Sequence, residues 1–349
     1  MAYSTISKSS LHFNNKLYTA TGSALSVTGV GFQPDLVWIK DRDSTGWHFW
    51  TDAVRGVTKT IFSNTNVAES TESGGLTAFG TDGYSIGTHS NINTNGNNVV
   101  SMNWKAANSS GSSNGDGTIT STVSANQTAG FSVVKWTGNG SAGATIGHGL
   151  GATPAVIIEK ITSSTGDWLV YHHKNTSAPE TEFLRLSTDA ATQDELTIWN
   201  DQAPTNQVFY VGSESTVNGN GNSCIAYCFT EKKGYSKFGS YTGNGNADGP
   251  FIYLGFKPAF VIIKQTNTTN HWYMWDNKRD PDNPTQKYSR PDDTTAEGSY
   301  DWLDLVSNGI KIKNTSSGAN TSSGTYIYMA WAEEPLVANV GGSIPATAR

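Results

Sequence analysis

One motif occurs three times in this chain, about a hundred residues apart. The copies read LYTATGSALSVTGVGFQPDLVWIKDR from Leu17 to Arg42, KWTGNGSAGATIGHGLGATPAVIIEK from Lys135 to Lys160, and SYTGNGNADGPFIYLGFKPAFVIIK from Ser240 to Lys264. Each carries an aromatic, a glycine turn, a proline stop and then a run of Val and Ile. A recurring unit of this kind means tandem supersecondary modules, and it limits the fold more than any composition figure does.

The copies stay in step beyond their openings. With Pro34, Pro154 and Pro258 as register marks, the tryptophans Trp47, Trp168 and Trp272 follow at nearly constant distance, and Trp50, Tyr171 and Trp275 come three residues later. A turn and short strand follow at 82–86, 206–210 and 308–312. Each copy closes on an alternating strand, at 99–104, 224–229 and 326–331. Pro before an apolar run blocks helix and suits strand entry. Val- and Ile-rich runs lie between Gly, Asn and Asp clusters, the pattern of many short strands joined by turns. The expected fold is therefore all-β: three tandem antiparallel units, each a sandwich or a barrel. The best helix candidate, Thr188 to Leu196, is short and poorly patterned.

This register divides the chain into a polar N-terminal segment (1–16) that reads as an attachment arm or an edge strand, repeat 1 (17–106), a Gly/Ser/Thr-rich linker (107–130) whose 118–123 core can pair as an edge strand, repeat 2 (131–234), repeat 3 (235–335) and a C-terminal tail (336–349). Net charge is −6, and the Lys and Arg residues are scattered. Phosphate-binding surfaces need massed cations, so nucleic acid is not an expected partner. No run of 18 apolar residues suggests membrane insertion, and the start lacks the apolar region of a secretory signal. Cys224 and Cys228 are four apart on an expected strand, on one face and too distant for a disulfide. They are expected to be buried thiols.

Chemistry is hard to find. No Gly-x-Ser-x-Gly elbow, zinc helix or phosphate loop occurs. The acidic pairs Asp41 with Asp43, Glu180 with Glu182, and Asp292 with Asp293 do not recur between copies. Asp276, Asp280 and Asp282 form an oxygen-rich loop without the spacing of a calcium site. The expectation is no enzyme activity, no cofactor and no metal. The aromatics are the better lead, because a flat ring beside short polar groups suits a sugar. The candidate glycan contacts are Trp272 and Trp275, then Trp47, Trp50 and Trp168.

The segments GFQPDLVWIK, TDAVRG, TESGGLTAFGTDGYSI, GHGLGATPAVIIEK and KFGSYTGNGNADGPFIYLGFKPAFVIIK resemble a family of uncharacterised repeat domains from marine and cyanobacterial phage genomes. The resemblance spans about residues 1–334 and implies three tandem antiparallel β-sandwich repeat domains of jelly-roll or lectin-like type. It implies a virion structural protein, tail-fibre-like, assembled in the host cytoplasm and placed on an external appendage or surface of the particle. It further implies contacts with other virion proteins of capsid or tail, a homo-oligomer with a trimer as the leading candidate, and attachment to a host-surface glycan. The alternatives are a capsid decoration or tail building block with no ligand and, behind it, a polysaccharide-degrading spike enzyme.

Overall fold

The runs Leu36–Asp41, Val156–Ile161 and Phe256–Gln265 are buried along their whole length. Both faces of each strand are covered, which explains why these runs read as continuously apolar rather than alternating. In the computed structural model, which describes residues 4–335, they are central strands of an all-β molecule. The described residues form six antiparallel sheets, two drawn from each copy of the motif.

The first copy has a six-stranded sheet in the order Phe13–Thr19, Asn98–Trp104, Leu36–Asp41, Phe49–Asp52, Lys59–Phe62, Ser70–Thr71. Its smaller sheet runs Leu25–Thr28, Gly83–Ile86, Leu76–Gly80. The second copy has an eight-stranded sheet centred on Phe131–Thr137, Ser223–Phe229, Val156–Ile161 and Trp168–His172, and the pair Ala144–Gly147 with Val208–Val211. The third has Ser236–Thr242, Thr325–Pro335, Phe256–Gln265, Trp272–Asp276 in one sheet. Its other sheet is Phe251–Tyr253, Gly309–Ile312, Gly298–Val306, Thr285–Tyr288. In every copy the closing strand lies between the opening strand and the proline-led strand.

The apolar residues sort into two kinds of core. Three clusters are local, one per copy, each drawing on both of that copy's sheets. A fourth is shared: Trp38, Trp50 and Trp104 meet Phe131, Trp168 and Tyr227, and both groups meet Phe260, Trp272 and Trp331. Trp104 and Trp331 rings lie 5.4 Å apart, Trp50 and Trp168 5.0 Å. Alternate residues of one strand therefore serve different cores: Val156 and Ile158 face the shared one, Ile157 the local one. Edge-on and tilted ring pairs of this kind add to what area burial alone gives.

Three lysines bind the copies to one another. Lys40, Lys160 and Lys264 each follow the register proline by six residues, and all three are buried. Lys40 Nζ donates to the Ser44 and Gly46 carbonyls (3.0 and 2.9 Å) and to Thr294 of the third copy (3.3 Å). Lys160 donates to Ile161 (2.6 Å) and to Asn66 of the first copy (3.4 Å). Lys264 donates to Asn270 and to Asp189 of the second copy (2.9 Å). The contacts thus run first to third, second to first and third to second, closing a ring. Burial pushes each ammonium down to about 8, while the carbonyls that receive it favour the charged form.

Five residues before each closing strand stands a buried asparagine: Asn93, Asn218 and Asn320. Each uses both ends of its amide. Asn93 Oδ1 accepts from Thr21 N (2.8 Å) and its Nδ2 donates to Gly87 O (2.6 Å). Asn218 takes Asn139 N (3.0 Å) and gives to Ser141 O (2.8 Å). Asn320 takes Asn244 N (2.8 Å) and gives to Asn314 O (2.8 Å). These amides satisfy the backbone of the Gly-turn loops that open each copy, through Ser23 O and Asn246 O as well, and tie them to Gly87 and Asn314 later in the first and third copies.

One buried group breaks the pattern. Glu159 occupies the strand position held by Ile39 and Ile263 in the other copies. Its side chain is buried, and among the described residues its carboxyl oxygens make no well-formed hydrogen bond, only a contact with the weak donor Cys224 Sγ. Burial raises its pKa well above 4.5. The folded state then keeps a proton that the unfolded chain releases above about pH 4.5, so stability falls as pH climbs from there towards the folded value. Glu159→Ile is expected to stabilise the protein by about 1–3 kcal/mol near pH 7, with a smaller gain near pH 5. Urea denaturation at the two pH values checks this. A variant no more stable than the parent would show that the carboxyl is satisfied.

Several segments differ from expectation. Residues 4–16 are built into the body instead of forming an arm: Phe13 stacks near Phe260 and Trp331 in the shared core, and Asn15 Nδ2 donates to Ala259 O (2.9 Å). The stretch 107–130 supplies strands Ser112–Asn114 and Ser121–Asn126 to the second copy's large sheet. Small polar residues suit a linker and equally an edge strand with a solvated face, and the second reading is the one the pairing follows. The candidate helix Thr188 to Leu196 is absent. Thr192 N is drawn to Thr266 O of the third copy (2.9 Å), and the helical turn is Leu196–Trp199. The tail 336–349 lies outside the described residues. No described helix is long and apolar enough to cross a membrane.

Candidate functional site

Four of the five tryptophans expected to meet sugar are core residues. Trp50, Trp168 and Trp272 lie in the shared core, and Trp275 lies in the third copy's local core. Trp168 Nε1 donates to Phe62 O and Trp272 Nε1 to Arg185 O, both at 2.8 Å, so each indole pins its own copy to the preceding one. These side chains have no face left for a ligand. Trp47 is different: it is 39% exposed and packs edge-on against Phe62 at 4.7 Å.

The reason is a one-residue slip. Trp47 follows its proline by thirteen residues, whereas Trp168 and Trp272 follow theirs by fourteen. The pairings Leu36 with Asp52, Val156 with His172 and Phe260 with Asp276 put His48, not Trp47, in register with Trp168 and Trp272. A slip of one reverses the face of a strand. His48 is accordingly buried, accepts from Trp38 Nε1 (3.0 Å), and is held neutral by a pKa driven well below 6.5 through burial.

The exposed aromatics lie elsewhere. On the edge strand Phe251–Tyr253, Ile252 faces the local core while Phe251 and Tyr253 are 49% and 51% exposed. Strand pairing places Ile252 in register with Val27 and Ile146. The outward neighbours in those copies are Ser26 and Thr28, and Thr145 and Gly147. Only the third copy puts rings at these two edge positions, while in the second Tyr210 lies across from Thr145 on the paired strand. In the second copy the corresponding edge is covered, because Thr118 and Ile119 bond to Thr145 at 2.8 and 3.0 Å.

Beside Tyr253 lies an open cleft of about 560 Å³, lined by Glu231, Lys233, Ser236, Lys237 and Leu254. Lys237 Nζ donates to Tyr253 O (2.7 Å) and sits 5.4 Å from its ring centre. That contact ties Lys237 to the Tyr253 backbone and places a cation over the ring. Glu231 Oε1 accepts from Phe238 N (2.8 Å), which orients the carboxylate at the other wall. An apolar face with donors and acceptors at its margin is thus present, on residues different from those the sequence singled out. The signal was in the sequence: FIY alternates, and its outer positions are aromatic in one copy of three.

Four of the carboxylates considered for catalysis or metal, Asp41, Asp276, Asp280 and Asp292, are occupied. Asp41 Oδ1 accepts from Asp43 N and Ser44 N (2.9 and 3.1 Å). Asp292 binds His271 Nδ1 (2.8 Å), which raises the pKa of that histidine. Asp276 holds Arg279, and Asp280 accepts from Gln286 N (2.7 Å) and Lys287 N. Among the described residues no three His, Cys, Asp or Glu side chains converge as a metal site would need. Cys224 and Cys228 are buried free thiols with pKa values pushed up by burial.

No curated protein matches the chain. Residues 8–335, nearly the whole of it, match a sequence family described as a domain of unknown function. That match takes in all three copies of the motif, both kinds of core and the aromatic edge strand, and the chain belongs to this family, DUF7483.

Proposed function

We propose that the chain is a non-catalytic attachment protein of a phage virion, built of three β-sandwich domains, that binds a host-surface glycan through Phe251 and Tyr253. The observation that carries the glycan reading is the pair of exposed rings on an edge strand whose counterparts are Ser, Thr and Gly. Large exposed aromatics on a strand invite aggregation unless they serve a partner. A pyranose ring offers the flat C–H face that such rings accept, and Lys237, Glu231 and Ser236 offer hydrogen bonds to its hydroxyls.

Support for the virion placement comes from the motif resemblance. A tail fibre or other external appendage suits a rigid, turn-rich β-protein, and assembly in the host cytoplasm suits two free thiols. The closed ring favours the rival reading of a capsid or tail building block, since three lobes on a shared core make a stiff part without any ligand. A homo-oligomer, with a trimer first among the choices, stays part of the proposal. The ring already brings three lobes together within one chain.

The Phe251→Ala/Tyr253→Ala double variant tests the glycan reading. It is expected to keep its stability within about 0.5 kcal/mol, because both rings are on the surface. Binding to polysaccharide from the host envelope should fall roughly tenfold per ring, as loss of about 1.4 kcal/mol of contact each implies. Undiminished binding would remove the platform from the reading. Intact protein that binds no envelope polysaccharide at all would favour the building block. Immunogold labelling of virions tests the placement separately.

A further inference from the structure

Two of the three junctions between copies are sealed by the same ion network. At the first, Arg55 binds Asp52 (2.5 Å) and Glu69 (3.2 Å), and Glu69 N donates to Thr162 O (2.9 Å). At the junction of the third copy with the first, Arg279 binds Asp276 and Glu297 (3.4 Å), and Glu297 N donates to Arg42 O (2.8 Å). The junction of the second copy with the third keeps the backbone bond, Thr192 N to Thr266 O (2.9 Å). Its side chains are different. Register puts His172 in the place of Asp52 and Asp276, and Asn175 three residues on takes the place of the arginine. Thr192 takes that of the glutamate.

Shorter side chains leave room. A cleft of about 420 Å³ opens there, lined by Asn175, Thr176, Glu182, Thr192, Thr266 and Asn267 among others. Asn175 is only 8% exposed; its Oδ1 accepts from Thr192 Oγ1 (2.9 Å), and its Nδ2 has no partner among the described residues. Glu182 Oε2 is likewise buried without a partner. Glu182 stands where the other copies have Lys59 and Lys287. Relative to the other two, the junction has lost two cations and two carboxylates and gained the carboxylate of Glu182, and the two residues with an orphan donor and an orphan acceptor line one cleft. Buried polar groups left unpaired cost stability, and their retention needs a reason.

We propose that this cleft is a second binding site, for the hydroxyls of a neutral saccharide. A hydroxyl is donor and acceptor at once. One hydroxyl, or an adjacent pair, can accept from Asn175 Nδ2 and donate to Glu182 Oε2, with the threonine hydroxyls serving its neighbours. A simple anion would be repelled by Glu182, and a simple cation would leave Asn175 Nδ2 unanswered. No aromatic ring lines the cleft, so hydroxyl contacts rather than stacking hold the ligand. The site is independent of the Phe251–Tyr253 platform and stands if that platform binds nothing.

The experiment uses the full chain carrying Phe251→Ala and Tyr253→Ala, so that the platform is silent. Amide shifts are followed by NMR during titration with glucose, galactose, mannose and N-acetylglucosamine. At least one sugar is expected to move the amides of Asn175 and Thr192 saturably. Glu182→Gln should weaken that binding about tenfold by removing a charge-assisted bond. Ala191→Phe, which fills the cleft, should abolish it; if that variant does not fold, Glu182→Gln decides. The proposal is overturned if none of the sugars moves these amides, if binding is indifferent to both substitutions, or if methylguanidinium binds there and the sugars do not.

Discussion

Trp272→Ala is expected to cost about 3–5 kcal/mol of stability, the range for removing a large aromatic from a packed core. The indole is wholly buried in the core common to all three copies, and its Nε1 caps the Arg185 carbonyl of the second copy. Truncation leaves a cavity and an unpaired carbonyl at a junction. Urea denaturation followed by fluorescence measures it, with Trp47→Ala as the surface control expected to cost less than about 1 kcal/mol. Any loss of glycan binding in Trp272→Ala would then report disrupted packing. A stable Trp272→Ala protein with lost binding would return this residue to the ligand site.

Asp276→Ala should be comparably severe, about 3–5 kcal/mol, through a different cause. Arg279 and Asp276 side chains are both fully buried, and Arg279 also donates to Ser289 Oγ (2.7 Å) and Met274 O (3.0 Å). Removing the carboxylate leaves a guanidinium in the interior with too few acceptors. Replacing both partners, as Asp276→Ala with Arg279→Met, should recover most of the loss, because the buried pair goes as a whole and Glu297 keeps Arg42 at 2.7 Å. The second copy is a natural version of this experiment, with His172 and Asn175 in these places. If the single and double variants are equally unstable, the damage is steric and the electrostatic account fails.

The all-β class is legible in the sequence because Gly, Asn and Pro punctuate short Val/Ile runs, and the threefold motif locates the central strands. What the sequence concealed was the direction of side chains. Period-2 geometry makes one residue decisive, and Trp47 aligned by eye with Trp168 and Trp272 is one residue out; His48 is the true counterpart. Trp50 likewise matches Val170 and Met274 and faces the shared core, whereas Tyr171 and Trp275 face local ones. A shared core cannot be inferred from a repeat pattern, since an aromatic-rich strand reads the same whether its neighbour is its own copy or the next. The lysine column Lys40, Lys160, Lys264 and the asparagine column Asn93, Asn218, Asn320 were visible as fixed spacings. They pass unnoticed because polar residues are expected at the surface. The platform was missed for the opposite reason: abundant tryptophan drew attention from a Phe and a Tyr.

The lysine contacts have a consequence for descent. In an open array of modules, units can be added or lost at the ends, and gene duplication lets their number drift. Here every copy is flanked on both sides, since Lys40 reaches the third copy as Lys160 reaches the first. Deleting one copy would strip two junctions together and lay bare the aromatic centre. Copy number is therefore locked at three, and change is confined to substitution within copies. That is the setting in which three like modules diverge, one keeping a plain edge, one opening a polar cleft and one acquiring exposed rings.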